Sequence, residues 1–327
     1  MRIGDEQNKD DLFYRTKGIG IDAQGSIYVL DRGNHRIQKF DRSGNYRMTI
    51  GRFGQGPGEF QVPVKIAVDR ATGDIHVYDL MAGIVTFSAN GEYLNASRPI
   101  QMVRDFVPLD QKGGFLGVIQ KELESQLSYG ISLCYLSANG QIGKTYAEYP
   151  YNVYTKELST GVHYVETGYE HSLHIAKLDQ KTFLYGYSKD YVLHVFDFEG
   201  DILFRVQKDA PIPRFSADEI ESLKKFGVPA EKPHFFSILV DSEGRIYVQR
   251  NKAEKLIRQY GWIDLENKEV DVFSKEGYFL YTTRLPPNTC AIEDGVLYSH
   301  TLERESGAEN VVRYQIANWT EIKTGIR

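Results

Sequence analysis

Basic side chains recur at one kind of place in this sequence. Lys17, Lys65, Arg104, His171 or His174, and His234 each stand just ahead of, or at the start of, a short apolar run. The runs include Gly18-Ile-Gly-Ile-Asp22, Lys65-Ile-Ala-Val-Asp69, Phe106-Val-Pro-Leu-Asp110, His174-Ile-Ala-Lys-Leu-Asp179 and Ser237-Ile-Leu-Val-Asp241. A sixth run, Cys290-Ala-Ile-Glu-Asp294, follows Thr289 instead of a base. Cationic groups gathered at one mouth would concentrate carboxylates or phosphates, and more pointedly so because the whole chain carries a net charge of −5. The plainer alternative is that residues preceding a strand are exposed and therefore often charged. Convergence in space separates the two readings.

Other chemistry is less well supplied, and no catalytic residue is singled out. The sequence has no Gly-x-Ser-x-Gly elbow. Gly54-Gln-Gly-Pro-Gly58 is glycine-rich, but it lies between strands and contains proline, so it reads as a shaped connection and not a phosphate cradle. His171 and His174 are three apart in what reads as strand, which points them to opposite faces. The segment Asp264–Asp271 departs from a calcium loop, with Lys268 fifth and no glycine sixth, and reads as a solvated loop. Asp105 is the one acidic residue placed just before an innermost run. No cofactor is therefore expected, although a divalent cation such as calcium in a central channel stays open. Cys134 and Cys290 read as buried free thiols in separate repeats. The mildly acidic balance disfavours a nucleic-acid partner. No run of 18 apolar residues is long enough to span a membrane, and Met1–Asp11 lacks a signal-peptide core.

The elements that must carry these residues come from a repeat. Its first half is an apolar strand ending in Asp, a short turn and a second apolar strand, as in Gly18–Asp22 with Ser26-Ile-Tyr-Val-Leu-Asp31. Its second half is a strand, a turn with Gly or Asn, and a more polar strand. Phe40-Asp-Arg-Ser-Gly44, Phe87-Ser-Ala-Asn-Gly91, Leu136-Ser-Ala-Asn-Gly140, Phe196-Asp-Phe-Glu-Gly200 and Phe273-Ser-Lys-Glu-Gly277 show it, with Tyr314–Trp319 a weaker copy. Four strands per unit and six units predict an all-β, six-bladed β-propeller of antiparallel blades in a single domain. The blades run roughly over 16–51, 60–99, 104–150, 168–210, 234–286 and 288–323. The last blade is completed either by Trp319–Lys323 or by Met1–Gly4. Three interruptions are expected: a long linker at Pro150–Gly168, a helix near 216–226 opened by the capping box Ser216-Ala-Asp-Glu219, and a lengthened loop at Asn251–Lys268.

Two stretches carry a family resemblance. Ser26–Phe40, with Asn34-His35 inside it, resembles the NHL repeat. Gly51-Arg-Phe-Gly-Gln-Gly-Pro-Gly-Glu-Phe60 with Pro63 looks like the loop after the first blade of bacterial 6-bladed β-propeller proteins. The resemblance is sharp over residues 12–94 and architectural beyond. It implies an exported or lipid-anchored bacterial protein, NHL repeats more broadly imply binding of another protein, and a monomer is expected. It also leaves open a metal-assisted hydrolase or lyase of the gluconolactonase-like kind, and NHL-type RNA binding. The face used for partners in NHL proteins would hold Arg32 and His35, with Arg52 and Glu59 on the neighbouring loop. Individually, His35 reads as part of a turn held by Asp31, and Arg36 as solvated.

Overall fold

Strands without clean alternation need burial on both faces. The six sheets supply it by packing face to face around a ring. A computed structural model describes residues 2–3, 12–99, 101–109, 113–122, 129–151, 154–158, 161–165, 169–224, 231–250, 254–257, 261–264, 267–302 and 308–320. Strand β1 (Arg2–Ile3) stands apart from its neighbours in sequence. The first sheet is β2 (Thr16–Ile21), β3 (Ile27–Asp31), β4 (Arg36–Phe40) and β5 (Tyr46–Ile50). The second is β6 (Pro63–Val68), β7 (Ile75–Asp79), β8 (Gly83–Phe87) and β9 (Tyr93–Ser97). The third is β10 (Met102–Pro108), β11 (Phe115–Glu122), β12 (Tyr129–Leu136) and β13 (Ile142–Tyr151). A hairpin of β14 (Tyr154–Leu158) and β15 (Gly161–Val165) follows. The fourth sheet is β16 (Leu173–Lys177), β17 (Thr182–Tyr187), β18 (Val192–Asp197) and β19 (Ile202–Gln207), and helix α1 (Ala217–Leu223) comes after it. The fifth is β20 (Ser237–Val240) and β21 (Ile246–Gln249), then a second inserted hairpin of β22 (Glu254–Ile257) and β23 (Gly261–Asp264), then β24 (Lys268–Phe273) and β25 (Phe279–Leu285). The sixth is β26 (Thr289–Glu293), β27 (Val296–Leu302) and β28 (Glu309–Gln315), with β1 as its fourth strand.

The innermost strands adjoin in the order β2, β6, β10, β16, β20, β26 and back to β2. One apolar cluster fills each gap between blades. Tyr28, Leu30 and Ile37 of the first blade meet Ile75, Val77 and Phe87 of the second, for example. All five residues of β3, of β7 and of β8 are buried. Each large aliphatic or aromatic side chain so buried contributes about 1.5–3 kcal/mol.

The repeated aspartate closes the turn between first and second strands. Asp22 Oδ1 accepts from the amides of Gln24 and Ser26 at 3.0 and 2.8 Å, and its Oδ2 from the Tyr28 hydroxyl at 3.0 Å. Asp69, Asp179 and Asp241 hold the corresponding turns through the amides that follow them. The repeated glycine closes the turn between third and fourth strands. At Gly44 and Gly91 φ is +82° and +80°, a left-handed backbone that glycine adopts without steric cost. A register shift sits beside this turn in blades one to five, just where the pattern places Phe or Leu.

Ring closure comes from the amino-terminal side. Arg2 and Ile3 pair with Val312 and Val311 on the open edge of β28. Trp319 goes elsewhere, its ring under the Arg245 guanidinium at 4.3 Å. Residues 321–323 lie outside the described residues. Closure is fastened by Glu309, whose carboxylate accepts from the amides of Arg15 at 2.8 Å and Thr16 at 2.6 Å, with His300 Nε2 at 3.2 Å. Burial alone would raise this carboxyl, but those hydrogen bonds outweigh it and hold the pKa at about 2.

Two expectations need correction. Asp271 is not in a solvated loop: it lies on β24, fully buried, and accepts from Tyr191 Oη at 2.7 Å, Lys208 Nζ at 2.8 Å and Thr282 Oγ1 at 2.6 Å. Arg36 is not solvated either. Its Nε donates to buried Asp31 at 2.8 Å and its Nη2 to the Leu12 carbonyl at 3.1 Å. The helix spans Ala217–Leu223 with both hydrogen bonds of the Ser216–Glu219 capping box in place, and Phe226 lies outside the described residues.

Candidate functional site

Strand direction alternates within a blade, so one side of the ring carries two sets of loops. These precede each first strand and join each second strand to the third. All three insertions leave and re-enter on this side: β14–β15, the segment holding α1, and β22–β23. The starts of the innermost strands open on the same side, and with them the upper mouth of the channel.

The channel has a volume of about 440 Å3 and is lined by residues of all six innermost strands. It brings together Lys17, Lys65 and His174 of the residues singled out in the sequence. Lys65 Nζ meets Asp105 Oδ1 at 2.7 Å, and Asp105 is the sole acidic residue in the lining. Lys177, at the far end of β16, adds a third lysine that the pattern did not flag. Three lysines therefore face one aspartate inside a chain of net charge −5. His174 is reached from the channel but enclosed by the blades. Desolvation lowers its pKa to about 4, Asp105 opposing and Lys65 assisting, so its imidazole is neutral at pH 7. Cys290 also lines the channel, half-buried rather than fully so, and burial raises its thiol pKa to about 12. Cys134 is buried, and both thiols are free.

The other basic positions are not part of this lining. Arg104 extends sideways, its Nε donating to Gln120 Oε1 at 2.7 Å and its guanidinium over the Tyr151 ring at 4.8 Å. His171 precedes β16 and packs edge-on against Tyr187, with centroids 6.1 Å apart. Desolvation lowers its pKa. His234 lines a second recess, of about 430 Å3, over the fourth blade. Arg104 neighbours Asp105 on β10, and neighbouring residues in a strand point to opposite sides, whereas His171 and His234 precede β16 and β20.

The loop residues form a tighter group. Asp31 Oδ1 accepts from the Tyr14 amide and Oδ2 from Asn34 Nδ2, both at 2.8 Å, which closes a 3-10 turn over Arg32–Asn34. His35 follows in the left-handed region, φ +53°, and packs edge-on against Phe53 with centroids 4.8 Å apart. Arg52 pairs with Glu59 at 2.7 Å, and Glu59 also accepts the Gly56 amide at 2.8 Å. Asn34 and His35 thus have a local structural role. Among the described residues no group of three or more His, Cys, Asp or Glu side chains converges as a metal site would require. No helix among them is long and apolar enough to cross a membrane.

Sequence reasoning missed the second recess. Tyr149 comes from β13, Tyr187 from the end of β17, His194 and Arg205 from β18 and β19, and Lys208 and His234 from the insertion that follows. No spacing in the sequence links them. The only signal was the density of Tyr and His between residues 149 and 194.

Comparison with known proteins bears on the fold. Protein brain tumor of Drosophila melanogaster is 38% identical over 65 residues, which is 20% of this chain and 6% of that protein's length. A solved structure from Bacteroides fragilis, of a protein described as a candidate exported protein, is 12% identical, with 96% of this chain and 94% of that chain covered at a TM-score of 0.56. A member of the DUF4221 family from Bacteroides vulgatus is 12% identical, with 95% of each chain covered at a TM-score of 0.58. Such low identities speak for the architecture alone. Residues 9–210 match a family as a whole, and with six four-stranded sheets in a closed ring the chain belongs to DUF5128, the 6-bladed beta-propeller family.

Proposed function

We propose that this propeller is a binding module whose insertion-bearing face admits an anionic group into the upper mouth of the channel. The group would be a carboxylate or phosphate of a small molecule, glycan or peptide. The supporting observation is that Lys17 and Lys65 stand with Asp105 as the one carboxylate in the lining of a channel within an acidic protein. Low-dielectric walls focus such a field and raise the local concentration of anions. Neutral His174 adds a hydrogen bond without adding repulsion or charge. A metal-assisted hydrolase finds less support, because the lining offers one carboxylate and Lys65 already occupies it.

The test is titration of an acidic oligosaccharide, a uronic-acid trimer, against the wild type, Lys17→Glu and the double variant Lys17→Glu/Lys65→Glu. The expected result is binding that weakens at least tenfold in Lys17→Glu, further in the double variant, and with added salt. Equal affinities, or no binding by any of the three, would overturn the reading. An extracytoplasmic location accords with this role and with the exported description of the Bacteroides fragilis protein. Recovery of the native protein in the cytosolic fraction of its own cells would refute that location.

A further inference from the structure

The recess over the fourth blade matches the channel in size but differs from it in wall chemistry and charge. Its volume of about 430 Å3 lies within the roughly 300–1,000 Å3 of small-ligand clefts. Rings form part of its walls: Tyr149 and Tyr187 stack at 4.4 Å and 16°, and Tyr191, His194 and His234 complete the aromatic part of the lining. Its lining mixes charges of both signs, Arg205 and Lys208 with Asp190 and Asp209, and Lys208 is paired to Asp271 behind it.

Some of these groups are fixed and others are idle. Tyr191 and Lys208 are both held by Asp271 of the fifth blade at 2.7 and 2.8 Å, so they form a rigid floor. The inserted segment forms a wall, pinned where the His234 amide donates to the Ser188 carbonyl at 2.8 Å and the Lys208 amide to the Tyr191 carbonyl at 3.2 Å. Helix α1 holds that segment down, with Glu219 accepting from Tyr169 Oη at 2.9 Å and Lys232 Nζ at 2.6 Å. In contrast, the side chains of Asp190, Arg205, Gln207 and Asp209 are exposed and make no hydrogen bond or ion pair among the described residues.

We propose that this recess is a second binding site and that it takes a neutral sugar, a mono- or disaccharide. Vicinal hydroxyls donate to carboxylates and accept from a guanidinium or an amide, which is the set Asp190, Asp209, Arg205 and Gln207 offers. Sugar C–H faces pack on tyrosine rings. An anion would meet two carboxylates here, and an apolar ligand would strip water from four polar groups without replacing their hydrogen bonds. The site goes beyond the channel reading and stands or falls separately from it.

The test is calorimetric titration of glucose, galactose, mannose, N-acetylglucosamine and their β-linked disaccharides, with glucuronate as the charged comparison. The proteins are the wild type, Asp190→Asn, Arg205→Ala, Tyr149→Ala and Lys17→Glu. At least one neutral sugar is expected to bind the wild type and to bind at least tenfold more weakly to Asp190→Asn and Arg205→Ala. Those two alter exposed side chains and are expected to keep the wild-type melting temperature, so they carry the test should Tyr149→Ala misfold. Lys17→Glu is expected to bind the sugar as the wild type does even if it loses the uronate trimer. No binding of any neutral sugar, undiminished binding by both Asp190→Asn and Arg205→Ala, or a preference for glucuronate would overturn the proposal.

Discussion

The two sides of the propeller close their turns by different means. On the plain side, Asp22, Asp69, Asp179 and Asp241 each fold the chain over on itself within a few residues, and Gly44 and Gly91 do the same one hairpin later. On the other side the connections range from three residues between β7 and β8 to the long segment that holds α1. Asp31 gathers a turn, Glu59 caps a loop, Glu309 fastens the ring, and a helix and two hairpins are added. A turn that is closed locally can be copied from blade to blade. A loop held by partners far along the chain can diverge without unsettling its neighbours, and for that reason binding groups collect there.

Removal of a plain-side aspartate is the severest test of that contrast. Asp241 has a fully buried carboxylate paired with Arg245, itself almost fully buried, at 2.8 Å, and it also accepts from Tyr247 Oη at 2.9 Å. Asp241→Ala strands a buried guanidinium. The expected loss is about 3–5 kcal/mol in urea unfolding, as for other broken buried ion pairs. A loss below about 1 kcal/mol would mean that the turn does not depend on its carboxylate.

Glu309 puts a comparable device on the varied side, at the seam of the ring. Its folded pKa of about 2 lies below the ordinary 4.5. A lowered carboxyl contributes stability that is fully present above pH 4.5 and is lost as the pH falls through about 2. The carboxylate is only 12% exposed, so the contribution at pH 7 is about 3 kcal/mol. Glu309→Gln is expected to lose most of this at pH 7 and to show a shallower acid transition between pH 5 and pH 2. An unchanged acid limb would place the closure energy in the β1–β28 pairing instead.

Gly91→Ala and Gly56→Ala compare the sides directly. At Gly91 φ is +80°, and an added Cβ would stand 2.9 Å from Ile50 Cγ1, so a cost of about 2 kcal/mol is expected. At Gly56 φ is ordinary, and the nearest atom is the movable end of Glu59 at 3.1 Å. Its cost is expected to stay within about 0.5 kcal/mol. Equal costs in thermal unfolding would erase the distinction between the two sides.

What the sequence disclosed follows the same division. The Asp and Gly turns were legible because each is made by residues no more than six apart and recurs from blade to blade. Ring closure was not, since the choice between Met1–Gly4 and Trp319–Lys323 rests on which segment reaches β28. Asp271 looked solvated because its neighbours Glu266, Glu269 and Lys268 are charged. Its burial depends on Lys208 and Tyr191, 63 and 80 residues away. Lys17, Lys65 and His174 could be placed at the channel because they begin innermost strands, whereas Arg104 turns to Gln120 for a hydrogen bond that nothing in the repeat encodes. The second recess joins two blades and an insertion, and no period in the sequence expresses that.

The smallest effect is expected at Arg52. Its side chain is 81% exposed and reaches back to Glu59 from open water. Glu59 keeps the Gly56 amide without it, and hydrogen bonds from that amide and from Arg52 hold its carboxyl below the usual glutamate range. Exposed pairs of this kind lose most of their Coulombic gain to screening and side-chain entropy. Arg52→Ala is therefore expected to leave the melting temperature unchanged at physiological salt. Beside it, Phe53 is 67% exposed and packs on His35, so this corner of the varied side presents an aromatic pair that the fold does not require for its core. A melting shift as large as that of Gly91→Ala would show that the loop braces the first and second blades. An unchanged melt leaves Arg52 free to vary without cost to the ring.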